Sequence, residues 1–218
     1  MADLVSHEKD TLKKIQILYQ YLQSNTRYMS IQLGIGGWQT MTASEVAEKG
    51  YGDCKALSNF MKALLKEVGI TSYVAFIKSG ANEEDIDPMF PCMRFNHAIT
   101  CVPLKNDTIW LECTSQTQSL GFQGSFTGNR KALLILPNGG ILVNTTKYYS
   151  YDNSKIVKAT MVLDNNANAS AQIKTSYKGI LKEHKDYLLN EKNGEEIKKI
   201  LKEELLKYPE IQLENKLD

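Results

Sequence analysis

Among the side chains of this sequence able to do nucleophilic or acid–base chemistry, Cys54 and His97 stand in the most informative surroundings. Cys54 follows Tyr51-Gly52-Asp53 and opens a stretch in which Leu57, Phe60, Met61, Leu64 and Val68 recur at helical spacing, closed by Gly69. A thiol in the first turn of a helix faces unpaired backbone N–H groups and the positive end of the macrodipole, which favour a thiolate. Asp53 opposes that as a neighbouring anion unless its carboxylate turns back to cap the helix. A thiol nucleophile also needs a base, and His97 lies in Phe95-Asn96-His97-Ala98-Ile99-Thr100, which reads as a strand.

An imidazole acts as a base when a third group orients it. The spacing predicts a hairpin in which the His97 strand turns through Pro103-Leu104-Lys105-Asn106 and pairs with a strand over 108–113. With Pro103 facing Asn106, His97 falls directly opposite Glu112. Opposed residues on one face have Cβ atoms about 5 Å apart, within reach of a carboxylate–imidazole hydrogen bond. The same register puts Cys101 on the His97 face and Cys113 on the reverse, which argues against a disulfide between them. A one-residue slip would turn one strand's side chains over and break the arrangement.

These residues require elements to hold them. A first amphipathic helix is predicted over 8–22, with Ser6 available as its cap, then a short strand over 28–33 and a turn at Gly34-Ile35-Gly36-Gly37. Thr42 and Glu45 have capping-box spacing, so a short helix should run to Lys49 and stop at Gly50. Strands are expected at 71–78, 95–102, 108–113, 132–136 and 140–143, with two aperiodic stretches, 79–94 and 115–130, long enough to be functional loops. The pattern is α+β: the Cys54 helix packed on a mainly antiparallel sheet. Near 148–155 the chain becomes polar and Tyr-rich, and a boundary there divides a core over 1–150 from a smaller unit over 151–218. That unit has strands at 156–163 and 170–177, helices at 180–189 and 195–208, and a further strand beginning at 211–213. It reads as the front of a larger β-rich domain.

Composition excludes several classes. The 26 basic and 25 acidic side chains nearly cancel, so no field draws in nucleic acid or an anionic membrane. No apolar run approaches the ~20 residues of a bilayer span. The four cysteines form no CxxC pair and the three histidines lie far apart, so no zinc cluster is indicated, and no cofactor is expected. Gly34 to Gly37 lacks the Lys-Ser/Thr of a phosphate loop. The acidic run Glu83, Glu84, Asp85 and Asp87 lacks the spacing and central glycine of a calcium loop. Cys92, Cys101 and Cys113 read as packing residues.

Three motifs in order, Gly52-Asp53-Cys54-Lys55, Phe95-Asn96-His97 and Trp110-Leu111-Glu112-Cys113-Thr114, resemble the nucleophile, histidine and acid motifs of the transglutaminase-like superfamily. The resemblance extends over about 8–144. It implies a papain-like core with a Cys54, His97, Glu112 triad acting on a peptide-like amide, and an oxyanion hole built from the Cys54 backbone N–H and an upstream donor, Trp38 or Gln39. Where the family usually has aspartate this chain has Glu112, longer by one methylene. The resemblance is closest to multidomain bacterial members with flanking β-rich domains. It therefore implies a peptide or protein substrate, contacts with such domains, and a periplasmic or cell-surface home. The competing expectation is a silent binding or scaffolding module on the same fold, since a fold does not fix an activity.

Overall fold

The structure, a computed structural model, describes residues 2–90, 92–166, 169–183 and 199. Helix α1 spans Thr11–Asn25 and buries Ile15, Leu18, Tyr19 and Leu22. Its cap is Asp10, whose carboxylate accepts from Lys13 N, and not Ser6, whose hydroxyl donates instead to the Asp3 carbonyl. The helix therefore begins and ends three residues later than the periodicity alone indicates. The strand expected over 28–33 shrinks to β1, Arg27–Tyr28, and the glycines wind a 3-10 turn at Gly34–Gly37. Helix α2, Ala43–Lys49, has the expected Thr42/Glu45 capping box and stops at Gly50, whose φ of 70° is the left-handed conformation glycine adopts freely.

Gly50 leads into β2, Tyr51–Gly52, which pairs in parallel with β1 and runs straight into helix α3, Cys54–Glu67. Gly52 is there because of space: a Cβ on it would lie 2.8 Å from Ala56 Cβ. Asp53 turns back to cap α3, its carboxylate accepting from Ala56 N at 2.9 Å and pairing with the Lys55 ammonium.

Strands β3 (Tyr73–Ile77), β4 (His97–Pro103), β5 (Thr108–Leu111), β6 (Lys131–Leu136) and β7 (Gly139–Asn144) form one antiparallel sheet in the order β5-β4-β3-β6-β7. One face carries Val102, Ile109, Leu111 and Cys113 into a core with α1 and α3, including Leu18, Leu22, Leu57, Met61 and Leu65. On the other face Ala75, Ile77, Ile99, Cys101, Trp110, Ala132 and Leu134 cluster. Two buried hydrogen bonds fix α3 on β4, from Ser58 Oγ to the Ala98 carbonyl and from Thr100 Oγ1 to the Ser58 carbonyl, both 3.1 Å.

The β4–β5 register differs from the expected one by two residues. Pro103 pairs with Thr108 and Thr100 with Leu111, so His97 is not directly opposite Glu112. The turn centres on Lys105-Asn106, with Leu104 N donating to the Asp107 carbonyl at 2.8 Å, because asparagine suits a tight turn and Pro103 can end a strand. A slip of two preserves the alternation of side chains, so His97 and Glu112 keep a common face and Cys101 and Cys113 remain on opposite ones. All four cysteines are free.

The stretch over 115–130 contains a short helical turn, α4 (Gly124–Thr127), which its sequence did not announce. Strands β8 (Ser154–Leu163) and β9 (Ala169–Lys178) form a separate antiparallel ribbon; β8 starts two residues earlier than anticipated and ends where expected, and β9 is one residue longer at each end. A 3-10 turn at Gly179–Lys182 stands where the helix over 180–189 was expected to start. Glu183 follows it in a turn, and the remainder of that helix from 184, the helix over 195–208 apart from the helical residue Lys199, and the strand at 211–213 lie outside the described residues. Residues Met1–Leu181 make one compact unit and Lys182–Asp218 a second. Among the described residues no helix is long and apolar enough to cross a membrane.

Candidate active site

Cys54 is the first residue of α3, half-buried, with its N–H in the turn whose donors have no intrahelical acceptor. His97 is the first residue of β4, and Glu112 follows the last residue of β5. Both are buried, at 9% and 6% exposure. His97 Nε2 lies 2.9 Å from Glu112 Oε2 and 3.1 Å from Oε1. A carboxylate only accepts, so Nε2 carries the hydrogen and Nδ1 is the ring nitrogen left for sulfur.

Electrostatics bind the three together. Burial of the ring disfavours its charged form, but hydrogen bonding to Cys54 and Glu112 and the charges of both outweigh that and raise the His97 pKa to about 10. Burial likewise works against the Glu112 carboxylate, and the bonds and charge of His97 with the bonds from Thr114 hold it below the ordinary glutamate value. Cys101 and Cys113 behave oppositely: burial pushes their thiols up, to about 11 and about 12, which makes them poor nucleophiles.

Further residues position this group. Thr114 donates twice to Glu112 Oε1, from its N–H at 3.1 Å and from its hydroxyl. The Tyr19 hydroxyl donates to the Glu112 carbonyl at 2.8 Å, tying α1 to the acid. Phe126 of α4 sets its ring against His97, centroids 5.5 Å apart and planes 62° apart. The two long loops meet beside it. Gly80 N donates to the Phe126 carbonyl at 2.9 Å, and the buried Arg130 guanidinium donates to the carbonyls of Lys78, Ser125 and Gly128 at 2.6, 3.1 and 3.3 Å. Asn96 anchors the root of the first loop by accepting from Ser79 N at 2.6 Å and donating to its carbonyl at 3.0 Å.

Trp38 and Gln39 leave the 3-10 turn with exposed side chains, Trp38 at 78%, and both backbone N–H groups donate to the Ile35 carbonyl. Any donor they offer a substrate is therefore a side chain. Thr114 was visible in the sequence as the neighbour of Glu112, whereas Phe126 and Arg130 carried no sequence signal, since their place depends on the path of an aperiodic loop. Among the described residues no group of three or more His, Cys, Asp and Glu side chains is arranged to hold a metal ion.

A helix opening on cysteine, packed on an antiparallel sheet that carries a histidine bonded to an acid, defines a papain-like thiol fold. The family model of the Transglutaminase-like superfamily matches residues 1–116, more than half the chain and inclusive of Cys54, His97 and Glu112, and the chain belongs to that superfamily. Two solved structures are similar to it. One, described as a candidate protease from Parabacteroides distasonis ATCC 8503, is 14% identical over 77% of this chain and 33% of its own, with a TM-score of 0.49. The other, described as a candidate cysteine protease from Cytophaga hutchinsonii, is 14% identical over 81% of this chain and 48% of its own, with a TM-score of 0.39. The chain thus spans about a third and about half of their lengths. No curated protein matches it.

Proposed function

We propose that the chain is a thiol enzyme that cleaves or transfers the acyl group of a peptide-like amide, with Cys54 as nucleophile, His97 as proton carrier and Glu112 as the group that orients the imidazole. The observation that carries this reading is the imidazole bonded at Nε2 to the Glu112 carboxylate, with Cys54, at the start of α3, acting on the same ring to raise its pKa. With a His97 pKa of about 10, the ring is protonated at neutral pH before substrate arrives. Cys54 then attacks as thiolate, forming the S–C bond while the carbonyl π electrons move onto oxygen. The oxyanion is received by the Cys54 backbone N–H together with the Trp38 indole or the Gln39 amide. As the C–N bond breaks, His97 Nδ1 gives its proton to the departing amine and a thioester remains. Water or a second amine attacks the thioester, its proton passes to the neutral imidazole, and the thiolate leaves. We also take the catalytic core to end near residue 150, before the β8–β9 ribbon.

Iodoacetamide labelling across a pH series, read by peptide mass, tests the proposal. Cys54 is expected to react well below pH 8.5, about the pKa of an ordinary thiol, and His97→Ala to abolish that advantage. Labelling of Cys54 that rises only with ordinary thiol ionisation, unchanged by His97→Ala, would sink it.

A further inference from the structure

Phe126 is half-exposed, at 47%, yet its position is fixed from several sides. Its carbonyl accepts from Gly80 N at 2.9 Å, the carbonyl before it accepts from Arg130, and the Thr127 hydroxyl donates to the Gln123 carbonyl at 3.2 Å. Its ring rests against His97, which is otherwise buried. An aromatic ring held rigidly, with part of its surface left in water beside a reactive group, is the form of a binding wall, because a ligand gains by covering it and little ordering entropy is lost. The loop that donates to it, over 79–94, carries further exposed apolar side chains, Met89, Phe90 and Met93.

We infer that Phe126 forms the wall of a subsite for a large apolar side chain adjoining the scissile amide, so that the substrate class is a peptide with an aliphatic or aromatic residue at that position. This rests on the thiol-enzyme reading above and deepens it by naming a specificity-determining residue. The wall lies against His97, so whatever occupies it also sits next to the proton donor. A cationic side chain there would meet the charged imidazolium, which disfavours lysine or arginine at the same place. An acidic side chain would lose its water against the phenyl ring, and the imidazolium beside it is already bonded to the Glu112 carboxylate.

The test uses peptidyl acyloxymethyl ketones that differ only in the side chain next to the reactive carbonyl, namely Leu, Phe, Gly, Lys or Asp, with inactivation followed by intact mass. The Leu and Phe probes are expected to modify Cys54 at least about tenfold faster than the other three, in line with the discrimination an apolar pocket gives. In Phe126→Ala the Leu-to-Gly rate ratio should collapse towards one, and in Phe126→Leu, which keeps an apolar wall, it should persist. Equal rates for all probes, a preference for Lys or Asp, or a uniform fall across all probes in Phe126→Ala would overturn the inference. Iodoacetamide separates the two levels. If it labels Cys54 in the expected pH range while the peptidyl probes show no apolar preference, the subsite fails and the thiol-enzyme reading stands; if it does not, that reading itself has failed.

Discussion

At the residue scale, the His97–Glu112 pair converts position into charge. The imidazole pKa is raised from 6.5 to about 10, and the Glu112 carboxyl is lowered below 4.5. A raised value means the folded state holds its proton more tightly. The stabilisation from His97 is therefore complete below about pH 6.5 and drains away as pH rises towards 10. A lowered value has the opposite sense, so the Glu112 contribution is complete above pH 4.5 and is lost as pH falls through its depressed value. The two overlap between pH 4.5 and 6.5. The difference in melting temperature between the wild type and Glu112→Gln should be widest in that window and shrink on either side, as thermal melts across a buffer series would record. A difference that grew steadily from pH 6.5 to 10 would mean that His97 is not held in its charged form. Asp53 illustrates the same economy: the anion that could have opposed a thiolate at Cys54 is spent on the Ala56 N–H and the Lys55 ammonium.

At the element scale, helices α2 and α3 were the most legible part of the sequence because their ends are written in local chemistry. Thr42, Glu45 and Gly50 stop and start α2 where their side chains and backbone freedom require, and Asp53 and Gly69 bound α3. Ser6 and Asp10 are both credible caps for α1, and only the observed hydrogen bonds choose between them. Strand register was less legible, since two adjacent turn placements in 103–107 fit the same residues. The observed one sets Glu112 two residues short of the position facing His97, on a diagonal whose Cα separation in a regular sheet is about 7–8 Å. The common face survives, and the extra methylene of glutamate supplies reach that aspartate lacks. Glu112→Asp should therefore weaken the bond to Nε2. Loss of a hydrogen bond to a charged group, about 1.5–3 kcal/mol, predicts a fall in kcat/KM of about 10- to 150-fold on any peptidyl substrate. Full activity in Glu112→Asp would show that the register leaves room for either acid.

At the scale of the whole molecule, three stretches far apart in sequence meet at one imidazole: the start of α3, the start of β4 and the end of β5. Their order along the chain was readable as motifs, and so was the alternation that puts His97 and Glu112 on one face. The wall at Phe126 and the Arg130 clamp were not readable, because loops without periodicity take their path from long-range hydrogen bonds such as Gly80 N to the Phe126 carbonyl. The near balance of 26 basic and 25 acidic residues leaves the chain with little net charge to act at long range. The convergence can be measured at its centre by following the His97 ring resonances by NMR through a pH titration in the wild type, Cys54→Ala and Glu112→Gln. The wild-type ring is expected to stay protonated up to about pH 10 and to titrate lower when either partner is removed. A wild-type midpoint at the ordinary histidine value of 6.5, indifferent to both substitutions, would contradict the account.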